Sequence, residues 1–162
     1  MSARLTHLDD AGHARMVDVS AKPVTARAAS AEGYVRCSTA VLDLLSEGGL
    51  PKGDALAVAR IAGLQAAKRT PDLVPLAHPV AVHAVEVEIT PVRSPALTGV
   101  HITATVRTAD RTGIEMEALT CVAVAGLTFV DMVKAVDKRT VLDGVRVTAK
   151  SGGRSGDWTV DD

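Results

Sequence analysis

Val85-Glu86-Val87-Glu88-Ile89, then Val100-His101-Ile102-Thr103-Ala104-Thr105-Val106-Arg107, then Gly113-Ile114-Glu115-Met116-Glu117 running into the uncharged stretch Ala118 to Val130, is the part of the sequence that decides the fold. The first two strings alternate apolar and polar residues with a period of two, the pattern of strands with one face buried. Pro91 to Gly99 separates them as a turn. The third is the longest element, a helix from about Ile114 to Val136. Its charge-free middle is too short to span a bilayer and reads as a buried packing helix.

Working outward, Val145, Val147 and Ala149 alternate with Arg146, Thr148 and Lys150 as a last strand. Upstream, Val24 to Arg36 has mixed alternation and reads as a first strand. Ser38 stands before Thr39 to Leu45 as the cap of a short amphipathic helix ended by Gly48-Gly49 and Pro51. A second helix runs from about Gly53 to Arg69 until Pro71 stops it. Residues 1–13 read as a polar arm, Met16 to Val19 as a short extended piece, and residues 151–162 as a Gly-rich tail. The order strand, helices, strand, strand, helix, strand predicts one α+β domain over 1–162, a ferredoxin-like α/β plait. It has an antiparallel sheet with helices packed on one face. Polar residues on the second face of two strands leave that side wet or covered by a partner subunit.

Composition sets the limits. The 162 residues, 47% hydrophobic, suffice for one core. With 18 Lys plus Arg against 19 Asp plus Glu, the net charge of -1 gives no overall attraction to nucleic acid or an anionic membrane, so an anion site must be local. No signal-peptide pattern or spanning segment is expected, which implies a soluble, cytoplasmic protein. Cys37 and Cys121 lack the spacing of a zinc site and read as plain thiols of a reducing compartment. Tyr34, Phe129 and Trp158 are the only aromatics. An RNA-binding module with this element order reads bases by stacking on sheet aromatics, and none of the three is expected on the central strands.

Short motifs supply candidate chemistry, each with a bland alternative. Lys52-Gly53-Asp54 puts an ammonium and free backbone N–H groups at a helix start, which suits an anion, although a loop lysine explains it as well. Lys150-Ser151-Gly152-Gly153-Arg154-Ser155-Gly156 combines cations with glycines that let backbone approach a phosphate, or is a solvated tail. His78 is held between prolines in Pro75-Leu76-Ala77-His78-Pro79, for structure or for binding. Glu115-Met116-Glu117 places two carboxylates at the positive end of the long helix, where the dipole alone would favour them. Asp131 and Lys134 share a helix face, and on spacing alone an exposed ion pair is the better reading. A partly desolvated carboxylate beside an ammonium is the acid-base alternative. No metal cluster is visible. Glu117 and Asp131 are fourteen residues apart, about 21 Å along a helix, so both ends can serve one site only if the ligand is long or a second subunit completes the pocket.

Met16-Val17-Asp18-Val19-Ser20-Ala21-Lys22, Ala59-Arg60-Ile61-Ala62-Gly63, Ala66-Ala67-Lys68-Arg69-Thr70, Gly113 to Thr120, Asp131-Met132-Val133-Lys134-Ala135-Val136 and Ala149 to Gly156, together with Lys52-Gly53-Asp54, resemble the MoaC family in order and spacing over nearly the whole chain. The resemblance implies a homohexamer, a trimer of dimers, with active sites at subunit interfaces. The substrate it implies is 3',8-cyclo-7,8-dihydro-GTP, converted to cyclic pyranopterin monophosphate and pyrophosphate in molybdenum cofactor biosynthesis. No cofactor is implied, though a divalent cation such as Mg could accompany the triphosphate. By motif, Lys52 and Lys134 match acid-base lysines and Asp131 the active-site aspartate. Leu76, Ala77 and His78 match a substrate-binding stretch, and Met116 and Glu117 a second one beside Glu115. Arg27, Lys68 and Lys150 look like triphosphate partners. The family pattern has Cys where Ala77 stands and Tyr where Val130 stands, so no essential thiol is expected at Ala77. A non-catalytic or weakly active relative that binds a nucleotide or pterin is the alternative function.

Overall fold

The computed structural model describes residues 8–9, 11–154 and 156–160. Most of the expected arm (residues 1–7 and 10) and part of the tail (residues 155 and 161–162) lie outside the described residues. The elements are β1 (Thr25–Arg36), α1 (Thr39–Glu47), α2 (Ala55–Ala67), α3 (Thr70–Leu73), β2 (Ala84–Arg93), β3 (Thr98–Asp110), α4 (Glu115–Val133), β4 (Val141–Ser151) and β5 (Trp158–Thr159). They form one sheet in the order β2-β3-β1-β4-β5, every neighbouring pair antiparallel. The first four strands have the ferredoxin-like order, with β5 added beside β4.

Alternation along β1 and β3 builds the core. Ala29, Ala31 and Val35 of β1 and Val100, Ile102, Ala104 and Val106 of β3 are buried on one face. Helix α4 lies across β3, β1 and β4, with α2 beside it over β2. The two helices approach closely because their contact is made of small residues: a Cβ added to Gly63 of α2 would stand 3.0 Å from the Cys121 carbonyl and 3.2 Å from the Ala125 Cβ of α4. By length and composition alone α4 could cross a bilayer. Here Cys121, Val122, Ala125, Phe129 and Val133 are instead fully buried in the core.

Several boundaries differ from the sequence reading, each for a local reason. Pro91 does not start a turn. It sits inside β2, an edge strand paired only to β3, where the missing N–H costs no ladder bond on the outer side. The hairpin turn is Ser94 to Leu97, closed by Ser94 N–H donating to the Leu97 carbonyl at 2.8 Å. Ser38 precedes α1 but makes no side-chain cap, its N–H donating instead to Asp137 Oδ2. Asp54, by contrast, caps α2 by accepting from Ala57 N–H at 3.0 Å. Pro71 opens α3 rather than merely stopping α2. Met16 to Val19 belong to no strand. The tail contains β5, paired through Trp158 and Thr159 to β4.

The sheet's other face is polar. Glu32 sits at its centre, accepting from Tyr34 Oη at 3.1 Å and Arg146 Nε at 2.8 Å, with His101 Nε2 at 3.0 Å. Tyr34 therefore does lie on a central strand, contrary to expectation, with its ring stacked on His101 at 4.6 Å. A carboxylate beside that ring repels a phosphate backbone, so the face is a poor base-stacking platform.

Phe129 is the largest fully buried side chain. Phe129→Ala should destabilise the fold by about 3–5 kcal/mol, read as a lower urea midpoint. An unchanged midpoint would show that α4 is not the packing centre.

Candidate active site

The start of α4 opens onto a cavity of about 910 Å³. Its walls come from five places: residues 17–22, the start of β1 at Arg27, the loop around Leu76-Ala77-His78, the loop from Arg111 to Gly113 with Glu115, Met116 and Glu117, and the end of β4 at Lys150 with Arg154. Eight residues singled out in the sequence thus come together there: Arg27, Leu76, Ala77, His78, Glu115, Met116, Glu117 and Lys150. Gly152 and Gly153 make the last wall possible. Both have left-handed φ, +82° and +79°, and a side chain on either would collide with the Ala26 carbonyl or the Arg27 guanidinium.

The cavity lining combines two kinds of chemistry. Glu117 is almost wholly buried at 3% exposure, and loss of solvent pushes its carboxyl up to about 6, with Glu115 nearby adding to the effect. Leu76 and Met116 remain about 40% exposed beside it, offering apolar surface to a flat ring. Cations share the same lining. Lys150, its side chain only 14% exposed, faces Glu115 at 3.5 Å. Arg27 donates from Nε to the Asp110 carbonyl at 3.0 Å and from Nη2 to the Arg111 carbonyl at 3.2 Å. His78 Nε2 lies 2.6 Å from the Val17 carbonyl. A carbonyl only accepts, so Nε2 carries a proton.

The remaining candidates form a second cluster at the far end of α4. Lys52 Nζ donates to Asp131 Oδ2 and Lys134 Nζ reaches Oδ1, both at 2.6 Å. Asp131 is half exposed rather than desolvated. The two ammonium groups, Lys134 first, hold its carboxyl down at about 2, so it is ionised at neutral pH. The anion position at the start of α2, expected near Lys52-Gly53-Asp54, is filled by the chain's own Asp54 carboxylate.

No residue of this cluster lines the cavity. Glu117 and Asp131 are fourteen residues apart on one helix, about 21 Å. Lys68, exposed at the end of α2, lines neither. Cys37 is a partly buried thiol and Cys121 a buried one, and loss of solvent pushes them up to about 11 and about 12. Sequence reasoning assigned no role to Lys22 or Arg111, which line the cavity. The linear signals were the family string that ends at Lys22 and a cation just before the Gly113 that leads into α4.

The MoaC family model matches residues 16–153, which hold both clusters. The chain belongs to the MoaC family. Among relatives of this MoaC chain is a protein of Streptomyces coelicolor, a cyclic pyranopterin monophosphate synthase, 63% identical over 156 residues, covering 96% of this chain and 89% of its own. One from Nocardioides, of the same name, is 58% identical and covers 96% and 95%. A third, from Mycobacterium tuberculosis, carries the name cyclic pyranopterin monophosphate synthase 2. It is 54% identical and covers 98% and 92%.

The raised Glu117 carboxyl has a consequence for stability. A group that binds its proton more tightly when folded favours the folded state below the unfolded value, near 4.5, and that contribution is lost as pH rises through about 6. Glu117→Gln should therefore match the wild type near pH 4.5 and exceed it by roughly 1–2 kcal/mol at pH 7.5. Urea midpoints across that range test this, and a constant difference would contradict it.

Proposed function

We propose that the chain is a cyclic pyranopterin monophosphate synthase that converts 3',8-cyclo-7,8-dihydro-GTP to cyclic pyranopterin monophosphate and pyrophosphate. The observation that carries this reading is the mixed lining of the cavity. A buried carboxylate, two exposed apolar side chains and several cations line it together, suiting a ligand with a flat ring rich in N–H donors and a triphosphate tail. Glu117 accepts from the ring, Met116 and Leu76 pack on it, and Lys150 meets the phosphates.

The chemistry requires proton transfers while the five-membered ring opens. A ribose hydroxyl then attacks the α-phosphorus: the new O–P bond forms, the hydroxyl proton passes to a base, and the bond to the β-phosphate breaks to release pyrophosphate. Lys52 and Lys134 are the transfer groups. Asp131, ionised between them, fixes both ammonium groups and stabilises positive charge. Cations around the leaving phosphates stabilise the developing charge. No resident cofactor is required; a divalent cation such as Mg would enter as the triphosphate's counter-ion.

Because the two clusters stand about 21 Å apart on α4, the working site joins the cavity of one copy to the Lys52, Asp131 and Lys134 cluster of another. A homohexamer, a trimer of dimers, supplies such pairs. Ile61 and Leu127, each more than half exposed on the helices, give apolar surface for assembly. Lys68, outside the cavity of its own chain, reaches the phosphates only across such an interface. The enzyme works in the cytoplasm, without nucleic acid or membrane.

Incubation with the cyclised substrate should yield cyclic pyranopterin monophosphate and pyrophosphate. Binding without product would favour a ligand sensor instead. Lys52→Ala and Lys134→Ala should retain the wild-type circular dichroism and assembly but form no product; full turnover by both would remove these lysines from the mechanism.

A further inference from the structure

One face of β3 carries Val100, Ile102, Ala104 and Val106, all buried, and the same face continues with Thr108 and Asp110. The row thus turns polar at its end, and the neighbouring strand stops there too. Strand β2 starts at Ala84, opposite Arg107, while β1 stays paired to β3 as far as Asp110. Among the described residues, 108–110 therefore have no strand on the β2 side. Beside them runs the segment 77–83, which has no regular structure and leads from the cavity loop into β2.

Side chains replace the missing ladder. Thr108, 5% exposed, donates from Oγ1 to the Ala81 carbonyl at 2.6 Å, and Asp110 Oδ2 accepts from Ala81 N–H at 3.4 Å. Ala81 is thus gripped at both of its backbone polar groups. Two residues on, His83 N–H donates to the Arg107 carbonyl at 3.0 Å, and His83 Nδ1 accepts from Ala109 N–H at 3.2 Å. Asp110 also reaches two other walls. Its Oδ1 accepts from Arg111 N–H at 2.6 Å, and its carbonyl accepts from Arg27 Nε at 3.0 Å. Three residues before Ala81, His78 in turn holds the Val17 carbonyl of a fourth wall. Neither Thr108 nor Asp110 lines the cavity itself.

A ligand held by side chains on separate loops depends on the spacing of those loops, and a shift of about an ångström is enough to lose contacts. We propose that Thr108 and Asp110 are positioning residues: by gripping Ala81 they set where the 76–80 loop presents Leu76 and His78 to the substrate. The inference rests on reading the cavity as the substrate site. The Lys52, Asp131 and Lys134 cluster makes no contact with this grip, so its loss weakens substrate capture and leaves the proton transfers intact.

Thr108→Val removes the hydroxyl with little change of shape and none of charge, Asp110→Asn keeps one acceptor oxygen, and Asp110→Ala removes both. Steady-state kinetics on the cyclised substrate should show KM raised about five- to twentyfold in Thr108→Val and Asp110→Ala, the size of one or two lost hydrogen bonds. Asp110→Asn should fall between Asp110→Ala and wild type, kcat should stay within about twofold throughout, and Thr108→Ser, which keeps the hydroxyl, should restore KM. Hydrogen exchange should quicken over residues 77–83 in Thr108→Val and Asp110→Ala and stay unchanged along α4. Wild-type KM and exchange in these two variants, or a fall in kcat with KM unchanged, would overturn the positioning role. Absence of product from the wild type would overturn the function reading instead, and exchange over 77–83 would then decide whether the grip holds the loop.

Discussion

Helix α4 imposes the constraint on which everything else depends. Its nineteen residues carry no charge between Glu117 and Asp131, and its inward side chains interlock with β1, β3, β4 and α2. Burying that surface is what lets a chain so poor in aromatics form a core from Val, Ala and Ile. The same packing makes α4 a straight spacer. Whatever chemistry its charged ends perform, they perform it about 21 Å apart, and no side-chain rearrangement within one copy closes that gap.

The two ends differ electrostatically, and each difference has a local cause. Glu117 is enclosed at the first turn with only backbone N–H groups to offset the loss of water, so its carboxyl rises to about 6. Asp131, on the last turn and half exposed, has two ammonium groups at 2.6 Å and falls to about 2. One carboxylate is poised near neutrality, and the other is an anion held between two lysines. In the proposed mechanism a single helix thus carries a recognition end and a proton-transfer end, which suits an enzyme assembled so that opposite ends of different copies meet.

Much of this was legible in the sequence. Period-two alternation over Val85 to Ile89 and Val100 to Arg107 located β2 and β3, and the uncharged stretch from Ala118 located the packing helix. The helix rise alone showed that Glu117 and Asp131 could not share one compact pocket. Errors fell where a residue's usual meaning depends on its neighbours in space. Pro91 reads as a turn until β2 is known to be an edge strand. Tyr34 reads as harmless until β1 is central. Ser38 reads as a cap although Asp137, ninety-nine residues away, takes its N–H. The division into two clusters followed from family motifs plus geometry. The pairing of Lys22 with Arg111 stayed hidden because it spans eighty-nine residues and runs through a backbone carbonyl, which no linear pattern encodes.

The account stands or falls on whether one working site draws on two copies of the chain. Glu117→Ala disables the cavity end and Lys52→Ala the other, so each variant alone should be inactive. Mixed assemblies formed by co-expression or by refolding the two together should regain activity, because sites pairing an intact cavity from one copy with an intact cluster from another arise at random in about a quarter of cases. Product formation near that fraction of the wild-type rate is the expected result. Mixed assemblies as inactive as either parent would contradict the shared site.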